Sequence, residues 1–358
     1  MKTKEITICG KQVMLAYCFA TELSFKNFTG KNITVDGAKN ENGSIGAGTD
    51  ANGTFENLAI TNGAAPNDID MWTSAKILVK NSVLNKPVRV KGADSQLRVA
   101  ESIQASVVFF DKTNLNVIGK LAADSKLVLD WDSVSHLPTD RVAVEFLTAE
   151  GEKDTAAWTD CKDNLSKIAL AANTAAAYDL FYHEADATIW LAPKFVTNET
   201  DLGIFLQIAE LKGEKDVIVP IAGSFEVASQ VNLADSFDSV TFRPYDTGAY
   251  TITYTGSAEG LFIIDANDKL ILQDLSFAST KNILLKQAGG ELVVADCVLS
   301  GATKNLVQTA GKATIKDSTL NQTSSNNIQT LGELNLEGQI SIAGPNASNS
   351  THGLYIQG

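Results

Sequence analysis

Leu270-Ile-Leu-Gln-Asp274, Leu292-Val-Val-Ala-Asp296, Ala313-Thr-Ile-Lys-Asp317 and Leu334-Asn-Leu-Glu-Gly338 are four copies of one short pattern, spaced by 22, 21 and 21 residues. Self-similarity at such a period marks stacked supersecondary units, none of which buries its apolar face without its neighbours. Side chains of a strand point to opposite faces in turn. That alternation puts Leu270, Leu292, Ala313 and Leu334 on one face with Leu272, Val294, Ile315 and Leu336, and puts Gln273, Ala295, Lys316 and Glu337 on the other. The first set is the expected core.

A second segment recurs at Gly260-Leu261, Asn282-Ile283, Asn305-Leu306, Asn327-Ile328 and Gly353-Leu354. Gly and Asn are the residues that most readily take positive φ, so their interchange predicts a corner in the left-handed region. Asp274, Asp296, Asp317 and Gly338 predict a second corner in the same way. Short strands with two corners per turn read as an all-β fold, a right-handed parallel β-helix. A fainter form of the pattern occurs earlier, at Leu23–Asn27, Leu58–Asn62, Ile77–Asn81 and Leu97–Glu101. Between the arrays, Arg141–Phe146 and Ala187–Leu191 read as strands and Asp160–Asp179 as helical. This middle stretch is an irregular or inserted coil, or alternatively a small separate domain. The expected division is 1–50 as an N-terminal segment or cap, 51–138 as the first coils, 139–215 as the irregular, partly helical segment and 216–358 as the regular coils.

From Asp216-Val-Ile-Val-Pro220 through Gly223-Ser-Phe225, Val240–Pro244 and Thr251–Tyr254 to Leu270–Phe277, the chain resembles the entry coils of pectin-lyase-like right-handed β-helix proteins. The resemblance covers 216–358 well and 50–135 loosely. It implies the fold, and it admits polysaccharide lyases and hydrolases, bacterial surface adhesins and phage appendages alike. The opening, Met1–Val13, resembles the start of small proteins encoded near tail genes in Bacteroides prophages, over the first thirty or so residues. Thr351-His-Gly353 is similar in part to the Gly-His-Gly of polygalacturonases, but Gly is missing before His352 and the companion motifs are absent.

The chain has 358 residues, of which 44% are hydrophobic and 20% charged, enough for a large core. Its net charge of −13 disfavours nucleic acid and anionic membranes as partners. The longest apolar run, Val13–Ala20, is too short to span a bilayer and does not form a secretory leader, so neither membrane insertion nor a signal peptide is expected. Virion proteins need no such leader, and a cell-surface fragment would have lost its own; the compartment and the oligomeric state stay open. Cys9, Cys18, Cys161 and Cys297 lack metal-ligand spacing, a Cys9–Cys18 disulfide remains open, and Cys297 reads as a packed thiol.

Asp274, Asp296 and Asp317 would stack about 5 Å apart, where like charges repel unless a cation such as calcium sits between them. The competing reading is a corner residue, which Gly338 at the fourth position favours. Asp265-Ala-Asn-Asp268 carries the same pair of readings. His136 and His183 have no partner pattern. Trp158, Tyr178, Tyr182 and Trp190 lie outside the repeat and either form a ligand-binding aromatic face or pack an insertion. No cofactor is expected beyond that calcium. The function expected is a non-catalytic scaffold or adhesin presenting loops to a glycan or a host-surface protein. The alternative is a polysaccharide lyase or glycoside hydrolase using the acidic column.

Overall fold

The computed structural model describes residues 27–36, 42–62, 64–92, 94–154, 162–183, 185–281, 283–322, 324–343 and 353–356. The protein is an all-β parallel solenoid of about 13 turns with short helical segments. It divides into two units, Met1–Ala192 and Pro193–Gly358, so the stretch 139–215 is shared between them. All four tryptophans, at 72, 131, 158 and 190, belong to the first unit.

In the second unit each turn contributes one strand to each of three parallel six-stranded sheets. The first sheet stacks Asp216–Ile221, Ser239–Pro244, Lys269–Gln273, Glu291–Ala295, Lys312–Lys316 and Glu333–Glu337. Leu270, Leu292, Ala313 and Leu334 are register neighbours, as are Leu272, Val294, Ile315 and Leu336. Val217 with Val240, and Val219 with Phe242, extend the two columns toward the N-terminus. Val294 and Ile315 are 0% exposed, whereas Gln273, Lys316 and Glu337 face solvent, so the alternation assigned the faces of these turns correctly; in the last of the six strands the inward assignment fails, with Leu334 half-buried and Leu336 40% exposed. Burying each large apolar side chain of these columns contributes about 1.5–3 kcal/mol.

The corner after this sheet is where the sequence places it. Asp274, Asp296, Asp317 and Gly338 have φ of 53°, 53°, 45° and 68°. Gly occupies the last position because a Cβ there would collide with the Asp317 carboxylate, which accepts the Gln339 N–H at 2.8 Å.

The other expected corner is not one. None of Gly260, Asn305, Asn327 and Gly353 has positive φ; Asn282 lies outside the described residues. The register there also differs, with Phe262, Leu285, Leu306, Ile328 and Leu354 as neighbours, so Leu285 rather than Ile283 continues the column. Ile283 and Leu285 are two apart on an alternating strand, and pattern alone cannot choose between them. One residue back, fully buried Leu261 and Leu284 give way to fully buried Asn305 and Asn327. Asn327 Nδ2 donates to Leu320 O at 2.8 Å and Ala343 O at 3.1 Å, and Asn305 Nδ2 donates to Asn327 Oδ1 at 2.8 Å and Asn321 O at 2.7 Å. Asn recurs here because its amide satisfies backbone groups inside the solenoid. Positive φ instead falls at Gly290 (60°) and Gly311 (86°), each directly before a first-sheet strand.

In the first unit, Asn27–Lys31, Asn52–Glu56, Lys76–Leu84, Gln96–Phe110, Leu115–Ile118 and Val142–Leu147 stack in parallel. Gly53 pairs with Ile77 and Ala59 with Val83, so 53–57, not 58–62, precedes 77–81. Both stretches end in an asparagine of positive φ, Asn57 at 55° and Asn62 at 50°, which is why the pattern matched the wrong side of the coil. Most of Leu23–Asn27 lies outside the described residues. The segment expected to be helical from Asp160 to Asp179 is described from Lys162. It holds a 3-10 turn at Asp163–Lys167, a strand at Ile168–Leu170 paired with Leu127–Leu129, and a short helix, α1, at Ala172–Ala177. Sheet pairing of Ile168-Ala-Leu170 overrides the local preference of an alanine-rich run. Val142–Leu147 then pairs antiparallel with Thr188–Pro193, both near the expected strands.

Candidate functional site

Tyr178, Tyr182 and Trp190 of the first unit are packed rather than presented. Tyr178 is 4% and Trp190 6% exposed, and Tyr182 sits half-buried against the core with its ring 6.4 Å from Phe146. Trp190 Nε1 donates to Thr188 Oγ1 at 2.8 Å, Thr188 donates to Asp186 at 2.6 Å, and His183 Nδ1 lies 2.7 Å from the same carboxylate. The imidazole stacks on Trp190 at 4.3 Å. His183 thus has the partner its sequence context did not reveal. Trp158 and Thr351-His352 lie outside the described residues.

Asp274, Asp296 and Asp317 are exposed corner residues on successive turns. Among the described residues no group of three or more His, Cys, Asp and Glu side chains is placed to hold a metal ion. Asp265 and Asp268 close a turn, with the Asp265 N–H donating to Asp268 Oδ2 at 2.6 Å. Cys297 is buried one residue past the corner; desolvation pushes its thiol up to about 12. Such a thiol is a small apolar filler.

Another concavity carries several polar groups, of which the sequence singled out only Asp274. A groove of about 890 Å³ runs over the outer face of the first sheet in the second unit. Its floor and walls include Ile218, Arg243, Tyr245, Asp246, Gln273 and Asp274. Tyr245 is 58% exposed, and its ring lies 4.9 Å from that of Phe195, which fixes its orientation. Arg243 is exposed on the strand below it and has no ion-pair partner among the described residues. The loop that follows is braced from within. Tyr250 Oη donates to Asp246 Oδ1 at 2.7 Å and the Gly248 N–H to the same oxygen at 2.8 Å. These bonds, the tyrosine's first, hold the Asp246 carboxyl below its ordinary range, and the Tyr250 hydroxyl is raised by the same contact. Asp246 therefore stays ionised at neutral pH and accepts hydrogen bonds rather than giving up a proton. One sequence signal marked this place. The step from Val240 to Leu270 is 30 residues where its neighbours are 23 and 22, so this turn carries the longest excursion, Arg243–Tyr250 included.

The chain matches no family model, no curated protein and no solved structure. What is shown is therefore a parallel β-solenoid, with no relative that supports a pectin-lyase-like family. Among the described residues no helix is long and apolar enough to cross a membrane.

Proposed function

We propose that the protein is a non-catalytic, saccharide-binding β-solenoid, of the kind borne on bacterial surfaces or phage appendages, and that the groove at Tyr245 holds the sugar. The observation that carries this reading is the Tyr245 ring, exposed yet oriented by Phe195, beside the unpaired Arg243 guanidinium and the Gln273 and Asp274 side chains. An aromatic face stacks on the C–H face of a pyranose at little entropic cost, while amide, carboxylate and guanidinium groups take its hydroxyls. Strands hold Arg243 and Gln273, Asp274 follows at a fixed corner and Phe195 orients Tyr245, so the groups are placed in advance, as a binding site requires. The second reading is a lyase or hydrolase, for which Asp246 and Asp274 would be the carboxylates at the groove.

Binding of the full chain to a panel of neutral and acidic polysaccharides, followed by affinity electrophoresis, tests the proposal. At least one should retard the parent protein, and Tyr245→Ala should weaken that binding by about tenfold or more, as truncation of a central aromatic anchor does. Retention of full binding by Tyr245→Ala would remove the groove from the account. Release of oligosaccharides would replace the binding reading with the enzymatic one.

A further inference from the structure

A second groove, independent of the saccharide site, lies along the helix of the second unit. This helix, α2 (Glu199–Leu211), is capped by Asn198, whose side chain accepts the Asp201 N–H, and it packs on Asp216–Ile221 and Phe225–Val227. Between α2 and the chain from Val227 to Phe237 is a groove of about 570 Å³, within the range of about 300–1,000 Å³ usual for binding clefts. Leu202, Leu206, Val227, Val231, Ala234 and Phe237 give it an apolar lining.

Two observations say what it fits. Gly203 lies on the groove in the first half of a 13-residue helix, where glycine weakens the helix relative to alanine. Its φ is not positive, and a Cβ built on it meets nothing within 4 Å. Neither backbone conformation nor packing against the rest of the chain calls for glycine there. With exposed Thr200, Gln207 and Glu210 it forms one stripe at helical spacing, lowest at Gly203, where another backbone approaches most closely. The second observation is charge. The groove is lined by Glu199 and Glu210 and by no Lys, Arg or His. Glu199 is occupied by the Ser229 N–H at 2.7 Å and the Ala228 N–H at 3.2 Å, whereas Glu210 is exposed and unpaired among the described residues.

We propose that this groove seats an amphipathic, basic helical segment of a partner protein, which crosses α2 at Gly203, lays its apolar face on half-buried Leu206 and Ala234 and pairs a lysine or arginine with Glu210. Helix-in-groove recognition takes this form, with apolar anchors at helical spacing and charge setting the partner. A second copy of the chain, at net charge −13, has the wrong sign.

The test is calorimetric titration of the full chain with a synthetic leucine–lysine amphipathic peptide and its leucine–glutamate counterpart, repeated on Gly203→Leu and Glu210→Lys. The leucine–lysine peptide should bind and the leucine–glutamate peptide should not. Gly203→Leu should melt no lower than the parent, because leucine favours the helix and meets open space, yet lose at least about tenfold in affinity. That variant keeps the chain's charge and so separates the groove from general attraction to an acidic surface. Glu210→Lys should weaken the leucine–lysine peptide if Gly203→Leu proves unstable. Equal binding by both peptides, undiminished binding to Gly203→Leu, or no binding of either peptide would each overturn the proposal.

Discussion

Asn327→Gly separates two physical accounts of one residue. If Asn327 stood at a left-handed corner, glycine would replace it freely, since Gly occupies the corresponding place at Gly353. In the structure Asn327 is fully buried and has no positive φ, and its side chain donates to Leu320 O and Ala343 O and accepts from Asn305 Nδ2. Three lost hydrogen bonds at a net value of about 1 kcal/mol each, with about 1 kcal/mol for glycine's extra backbone freedom, give a cost of about 4 kcal/mol. That corresponds to nearly a thousandfold in the opening equilibrium of these coils. The matched control is Asp296→Gly, at a true corner with φ of 53°, where the change should be small. Hydrogen exchange read by mass spectrometry on peptides spanning 298–343 reports local opening without assuming that a solenoid unfolds in one step. Equal acceleration of exchange in the two variants would refute the assignment of Asn327 as an interior amide.

Two further outcomes follow from the second unit. Desolvation tends to raise the Glu199 carboxyl, but hydrogen bonds from Ser229 and Ala228 outweigh it and leave the group below its ordinary value, so its contribution is present above the unfolded pKa and is lost as pH falls through the folded one. Exchange of the Ala228 and Ser229 amides relative to their intrinsic rates should rise on acidification below the ordinary glutamate range, and Glu199→Gln should flatten that dependence; an unaltered profile in the variant would place the acid response elsewhere. The Cys297 thiol, buried and raised to about 12, should resist iodoacetamide in the native protein and react once denatured, which peptide mapping of the labelled cysteine would show.

The inward columns and the Asp corner were legible because both signals are local: period-two alternation sets the face, and Asp interchanging with Gly marks positive φ. Asn misled for an equally local reason. The same side chain that tolerates a left-handed corner also satisfies buried carbonyls, and only the burial of Asn305 and Asn327 tells the two roles apart. The Gly290 and Gly311 corner was as visible as the Asp one, since Gly stands before Glu291 and Lys312 at a spacing of 21 residues. Of the candidate site, only Asp274 and the long step before Leu270 were legible. Tyr245 and Phe195 are 50 residues apart and meet only through the stacking of turns, and Asp246 with Tyr250 forms a loop that belongs to no repeat.

The tryptophans have a spectroscopic consequence. Because all four fall before Pro193, indole emission on selective excitation reports only on the first unit, while the far-ultraviolet dichroism of the stacked strands reports on both. A denaturation followed by the two signals together divides the chain optically at Ala192. Coincident curves would mean that the units melt as one cooperative body, and separated curves would assign each transition to its half without cutting the protein.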